Sequence, residues 1–156
     1  MKQTADYDHA QQAMRPGVIS LDGLLGEDKR LLLDIIEADS AEVRRLGLTH
    51  AAIAERMRDL RAAGAKGLGT AIRVPPHFEV DVDSVRGKLP CPFEDGVVPK
   101  TNIQVVNQAL ARRLRFTDLN IHLIERHGFY VGRGSPYRLE PSELMEILEV
   151  QPDAAG

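Results

Sequence analysis

Apolar residues in the first third of the chain recur at the spacing of one helical face. This face comprises Leu25, Leu32, Ile35, Ile36, Val43 and Leu46. The pattern predicts an amphipathic helix that begins near Asp22 and ends before Gly47, which is typical of a C-cap. Leu31 and Leu33 widen the apolar surface beyond one stripe. We therefore expect the helix around residues 24–46 either to be deeply buried or to mediate self-association as a homodimer.

A carboxylate interrupts this apolar face at Asp39. A buried carboxylate is costly unless it is paired, and such a group is often functional. The tetrapeptide Asp39-Ser40-Ala41-Glu42 also has the spacing of a capping box, in which Asp39 accepts hydrogen bonds from backbone amides. We favour the capping box, which predicts a kink and a restarted helix at Asp39.

Three further helices are predicted from caps and spacing. The first starts after Thr49, and its inner face consists of Ile53, Met57 and Leu60. A short helix over residues 118–127 is delimited by Thr117 as N-cap and Gly128 as C-cap. Pro141 opens a last amphipathic helix.

The apolar period changes to two in the middle of the chain, which is typical of half-buried strands. The alternating positions are Ile72 and Val74, then Phe78, Val80 and Val82, then Ile103 and Val105, then Leu110, Leu114 and Phe116. A turn near Asn107 joins the last two strands, and residues 90–96 form a loop that two prolines make rigid.

Four polar residues, His77, Glu79, Asp81 and Asp83, share the other side of the strand that begins near Phe78. Carboxylates and an imidazole in such a row can bind a divalent cation. The same row is also typical of the solvent face of an edge strand, where charge discourages aggregation. We favour the solvent face, and His77 remains a candidate metal ligand.

Together these elements predict an α+β fold in a single domain. N-terminal helices are followed by a small, mostly antiparallel sheet with a short ββα unit and a C-terminal helix. The domain covers residues 21–150. Residues 1–20 are polar and form a mobile or extended arm, and residues 151–156 form a C-terminal tail.

Composition adds limits on class and location. Of the 156 residues, 43% are apolar and 28% are charged, which fits a globular fold and excludes a disordered chain. No apolar run approaches the roughly 18 residues that a membrane span needs. A single cysteine makes no internal disulfide, so a reducing compartment is expected. We therefore expect a soluble cytoplasmic protein that does not bind membranes.

Charge is unevenly distributed along the chain. Residues 91–139 carry seven basic and four acidic side chains, whereas residues 140–156 carry five acidic side chains and no basic ones. The candidate residues for an anionic partner are Arg112, Arg113, Arg115, Arg126, Arg133 and Arg138. The glycine-rich loop at residues 132–135 can present backbone amides to the same anion. A solvated surface whose charges balance is the simpler interpretation.

Cysteine and histidine form the strongest chemical pattern. Leu119, His122 and His127 have the spacing found in the C-terminal half of a Cys2His2 zinc finger, which this segment resembles. The resemblance covers about a dozen residues, and a finger also needs two cysteines on its hairpin. This chain has only Cys91, which lies outside the predicted hairpin, so finger function is not implied.

Zinc also accepts mixed ligand sets. Cys91, His122 and His127, with His77, a carboxylate or water, would complete its coordination. Histidines five residues apart lie about 140° apart around a helix, so joint ligation requires that the helix end before His127.

Two functions are compatible with these residues. The favoured one is a non-enzymatic binding or regulatory protein, with or without a Cys/His metal site. Without the metal, His122 lies on the surface, His127 helps to satisfy the helix C-terminus and Cys91 is an ordinary buried thiol. The alternative is a metal-dependent, zinc-like hydrolase in which Cys91, His122 and His127 hold the metal and water takes an open position. The sequence assigns no catalytic residue, and zinc is the only cofactor it suggests.

Overall fold

The computed structural model describes residues 3–19 and 23–152, which form five helices and a four-stranded sheet. In chain order the elements are α1 (Ala5–Ala13), α2 (Leu32–Arg45), α3 (His50–Ala65), β1 (Ile72–Val74), β2 (Phe78–Pro90), β3 (Val97–Asn107), β4 (Arg112–Thr117), α4 (Asp118–His127) and α5 (Pro141–Leu148). Helices precede an antiparallel sheet, and a C-terminal helix follows it. This arrangement confirms the predicted α+β class.

Each strand pairs antiparallel with its neighbour in sequence, so the sheet order is β1-β2-β3-β4. Val80 lies opposite Val105, and Val105 lies opposite Leu114, on the buried face of the sheet. β2 and β3 continue past their shorter neighbours as a two-stranded hairpin, whose last pair is Pro90 and Val97. The strands follow the alternating pattern, and β2 extends beyond it to Pro90. Leu110 is the exception: it lies in the turn before β4, where its amide donates to Oδ1 of Asn107.

The main core lies between this sheet face and helices α3, α4 and α5. Its members include Ile53, Met57, Leu60, Val80, Ile103, Val105, Phe116, Ile124, Leu144 and Ile147. Helix α3 lies close to the sheet at Gly64, where a Cβ atom would lie 2.3 Å from Cγ1 of Val80. The alternating apolar side chains of the strands and the apolar faces of the helices therefore pack against each other in one layer.

A second cluster of buried residues joins α1, α2, α4 and the tip of the β2–β3 hairpin. It consists of Ala10, Met14, Leu24, Leu32, Ile35, Cys91, Leu119, Leu123, Phe129 and Val131. This cluster fixes the hairpin tip against α4, and both elements carry candidate metal ligands.

The N-terminal region differs from the arm predicted for residues 1–20. Residues 5–13 form α1, and the buried side chains of Ala10 and Met14 dock it on the body of the protein. Residues 1–2 and 20 of that arm, 21–22 of the predicted domain and 153–156 of the predicted tail lie outside the described residues.

Helix α2 begins at Leu32, ten residues later than the pattern near Asp22 predicted. The backbone before Leu32 makes hydrogen bonds outside the helix. The amide of Leu24 donates to the carbonyl of Met14, and the amide of Glu27 donates to the carbonyl of Arg133. Leu32 and other apolar residues of α2 pack within this chain. Leu31 remains 44% exposed, and self-association through residues 24–46 stays a prediction.

The predicted capping box at Asp39 is wrong, because α2 runs without interruption from Leu32 to Arg45. Asp39 is instead a buried carboxylate, and its two oxygens accept hydrogen bonds of 2.6 and 2.9 Å from the guanidinium of Arg138. The charged guanidinium of Arg138 thus takes the place of the backbone amides that Asp39 would have bound as a helix cap.

A chain of polar side chains links α2, α3 and the segment after α4. Nε2 of His50 lies 3.0 Å from Oγ of Ser40, and Nδ1 lies 2.8 Å from the hydroxyl of Tyr130. Burial lowers the pKa of His50 below its ordinary value of 6.5. The imidazole is therefore neutral in the folded protein at pH 7, and it satisfies the hydroxyl of the buried Tyr130.

Acidification is expected to destabilise the fold through His50. The unfolded chain binds a proton near pH 6.5 and the folded chain only at lower pH, so stability falls as the pH drops below about 6.5. Urea unfolding at several pH values should show this slope, and it should be shallower in His50→Gln. We expect the substitution to cost about 1 kcal/mol at pH 7.5. An unchanged slope in the variant would contradict the assignment to His50.

Candidate metal centre

The tip of the β2–β3 hairpin positions two of the candidate ligands. Cys91 follows the last residue of β2, and Asp95 lies two residues before β3 begins. The loop is closed by two hydrogen bonds of 2.9 Å: the amide of Cys91 donates to the carbonyl of Gly96, and that of Glu94 donates to the carbonyl of Cys91. Cys91 lies outside the β3–β4 hairpin, as predicted, and stands instead at the tip of the β2–β3 hairpin.

Helix α4 positions the two histidines. Thr117 and Asn120 form a reciprocal capping box at its start, and Gly128 ends it in the left-handed conformation. The predicted bounds of this helix are confirmed. Joint ligation was expected to require that the helix end before His127. Instead His127 is the last helical residue, and its Nε2 lies as close to Asp95 as that of His122 does.

Four side chains converge where the hairpin tip meets α4. The two carboxylate oxygens of Asp95 lie 2.9 Å from Nε2 of His122 and 2.9 Å from Nε2 of His127. Sγ of Cys91 lies 3.7 Å from Nε2 of His127. The ligand atoms of all four residues lie within 4.8 Å of one another.

These separations can reach those of a tetrahedral metal ion if side chains shift by up to about 1 Å. Zinc bonds of about 2.0–2.3 Å place neighbouring ligand atoms roughly 3.3–3.6 Å apart. The distance from Cys91 to His127 is close to this value, and the distances from Asp95 to the two histidines must widen by a few tenths of an ångström. The widest separation in the group, up to 4.8 Å, must shorten by about 1 Å. A thiol, a carboxylate and two imidazoles can therefore bind a metal ion here.

The four side chains also differ in exposure. Cys91 is buried, whereas the side chains of His122 and His127 are 19% and 18% exposed and that of Asp95 is 36% exposed. The group thus opens to solvent on the Asp95 side, which gives an ion a path of entry.

The electrostatics of the group favour a ligand role for Cys91 over a nucleophilic one. Burial, together with the hydrogen bond to Asp95, raises the pKa of the Cys91 thiol to about 12. A thiol that stays protonated at neutral pH is a poor nucleophile, and a metal ion must displace its proton.

The surroundings of Asp95 and His127 lower the pKa of both groups. Burial disfavours the charge on Asp95, but hydrogen bonds from Cys91 and His122 and the charge of His127 hold its pKa well below its usual range. Burial lowers the pKa of His127, although Asp95 opposes that shift. A carboxylate and a neutral imidazole are the protonation states that metal binding requires.

His77 does not join this group. It precedes β2 at the end opposite Cys91, and its Nε2 lies 2.5 Å from a carboxylate oxygen of Glu149. Among the described residues, the row of His77, Glu79, Asp81 and Asp83 forms no metal-binding cluster. The structure therefore assigns His77 a contact between the sheet and the residue that follows α5.

Two of the six candidate arginines are engaged with acidic groups of this chain. The side chain of Arg138 is only 9% exposed, because it pairs with Asp39. Arg112 lies 3.0 Å from Glu146 and 3.9 Å from Glu143, both on α5. The basic middle of the chain and its acidic C-terminal segment thus partly neutralise each other.

The other four arginines are exposed, and they are Arg113, Arg115, Arg126 and Arg133. The amides of residues 132–135 are less free than expected for an anion site. The amide of Gly132 donates to the carbonyl of Leu24, and the amide of Arg133 donates to the carboxylate of Asp28. An anionic partner stays a prediction that rests on the four exposed guanidinium groups.

Asp95 is the candidate ligand that the sequence pattern did not single out, although an unspecified carboxylate was expected. Three residues separate Cys91 from Asp95 and four separate His122 from His127. Both gaps match the C-x2–4-C and H-x3–5-H spacings of zinc sites, with aspartate in place of the second cysteine. This spacing is the feature of the sequence that could have identified Asp95 as a candidate ligand.

Comparison with protein-family models, with curated proteins and with solved structures finds no match for this chain. Within residues 3–19 and 23–152, no helix is long and apolar enough to cross a membrane.

Proposed function

We propose that this protein is a non-enzymatic zinc-binding protein in which Cys91, Asp95, His122 and His127 hold the ion. The observation that carries the proposal is the convergence of one sulfur, two imidazole nitrogens and one carboxylate oxygen within 4.8 Å. Zinc is the metal that this donor set suits best, because it accepts thiolate, imidazole and carboxylate together in tetrahedral geometry.

The bound ion has a structural role in this proposal. It joins the β2–β3 hairpin tip to α4, which are separated in sequence by β3 and β4. Such a cross-link stabilises the folded state by its binding free energy, since the unfolded chain presents no assembled site. A binding or regulatory protein would thereby respond to the available zinc.

The zinc-dependent hydrolase remains the alternative. A catalytic zinc site keeps one position open for water, whereas four protein donors fill a tetrahedral ion. Asp95 has the most exposed side chain of the four, at 36%, and is the ligand that water would replace. Zinc-dependent hydrolysis of activated esters that is lost with Cys91→Ala would overturn the non-enzymatic assignment.

Elemental analysis of protein purified without a histidine tag tests the proposal. After incubation with zinc and desalting, the wild type should retain near-stoichiometric zinc, whereas His122→Ala and Asp95→Ala should lose most of it. His77→Ala is the matched control, because it removes a histidine outside the group and should retain the metal. Equal zinc in all four proteins, or none in the wild type, would refute the site.

Substitution with cobalt tests independently whether Cys91 binds the metal. Co²⁺ occupies tetrahedral sites similar to those of zinc, and its visible absorption reports thiolate coordination. We expect the thiolate bands in the wild type and in His77→Ala and their loss in Cys91→Ser. Bands that persist in Cys91→Ser would exclude Cys91 as a ligand.

A further inference from the structure

Helix α1 packs directly on the loop that carries Cys91 and Asp95. The ring of Tyr7 meets the ring of Phe93 edge to face, with centroids 5.9 Å apart. Nε2 of His9 lies 2.8 Å from a carboxylate oxygen of the neighbouring Glu94, and both side chains are highly exposed. Two successive residues between the ligands of the hairpin tip thus contact α1.

Phe93 in turn stacks on a ligand. Its ring lies parallel to the imidazole of His127, with centroids 3.9 Å apart and an interplanar angle of 15°. It also meets Phe129 edge-on at 6.5 Å. Such aromatic contacts restrict ring orientation, so Phe93 orients the imidazole of His127 while Tyr7 holds Phe93.

The helix itself depends on this surface. Helix α1 has nine residues, and a helix of that length is unstable in isolation. Ala10 and Met14 are fully buried in the same cluster as Cys91, Leu119 and Leu123. Docking of α1 is therefore sensitive to the arrangement of the hairpin tip and α4.

We propose that Tyr7 and Phe93 are positioning residues of the metal centre, so that zinc binding and the docking of α1 stabilise each other. This inference rests on the proposed zinc site. Zinc fixes the loop and His127, which completes the surface for Tyr7, and docked α1 holds Phe93 against His127. Coupling between two equilibria is reciprocal, so α1 raises zinc affinity by the same factor by which zinc favours docking.

Zinc titration with a competing chelator tests one direction of the coupling. Tyr7→Ala leaves all four ligands in place and should bind zinc about tenfold more weakly than the wild type. Tyr7→Phe keeps the ring edge and should restore wild-type affinity. His9→Ala is the control on the same helix, and it should change affinity little because its ion pair is exposed.

Hydrogen exchange in the wild type tests the other direction without any substitution. Amides of residues 5–13 should exchange about tenfold more slowly with zinc than with chelator, and this difference should be much smaller in Cys91→Ala. If the wild type binds no zinc, the proposed function fails and the coupling fails with it. If zinc binds but neither α1 exchange nor the affinity of Tyr7→Ala changes, the coupling alone is overturned.

Discussion

Saturating zinc is expected to raise the melting temperature of the wild-type protein by about 8–16 °C. A ligand at about a thousand times its Kd stabilises the folded state by about 4 kcal/mol. For a chain of 156 residues, each kcal/mol shifts the melting temperature by about 2–4 °C. The shift arises because the four donors of Cys91, Asp95, His122 and His127 assemble only in the folded protein. Thermal scans in zinc and in chelator measure it.

Ligand variants provide the control for this result. Cys91→Ala should show a much smaller zinc-dependent shift, because the thiolate is lost and the three remaining donors bind zinc more weakly. His77→Ala should keep the full zinc-dependent shift, since His77 contacts Glu149 rather than the cluster. A shift of equal size in Cys91→Ala would show that zinc stabilises the protein from another location.

Asp39→Ala is expected to lower the free energy of unfolding by about 3–5 kcal/mol, the usual cost of removing one partner of a buried ion pair. The side chains of Asp39 and Arg138 are each 9% exposed, so water cannot readily replace the lost carboxylate. Arg138 also donates to the carbonyl of Val131 and to Glu140, but the side chain of Glu140 is 46% exposed, so solvent screens this second ion pair. Urea unfolding monitored by circular dichroism measures the loss.

Second variants separate the charge effect from the loss of packing. Asp39→Asn keeps the shape and should cost less than Asp39→Ala. The double variant Asp39→Ala, Arg138→Met removes both charges, so it should be more stable than Asp39→Ala alone. A double variant less stable than Asp39→Ala would show that Arg138 stabilises the fold independently of Asp39.

Elements specified by local interactions were predicted closely. The bounds of α4 followed from Thr117 and Gly128, because caps act on amides and carbonyls within a few residues. The strands were also predicted, because the alternation of apolar and polar residues is a property of neighbouring positions. Helix α1 was missed because its own pattern is weakly amphipathic, and it is buried through the isolated positions Ala10 and Met14.

The sequence by itself therefore determined the helices with clear caps, the alternating strands, the α+β class and three of the four candidate ligands. The tertiary structure alone selected Asp95 over His77 as the fourth, since hairpin pairing and the packing of α4 bring residues 91–95 and 122–127 together. It also paired Asp39 with Arg138, 99 positions away. Local pattern encodes hydrogen bonds and faces within a few residues, whereas the choice between distant polar partners depends on which elements pack together.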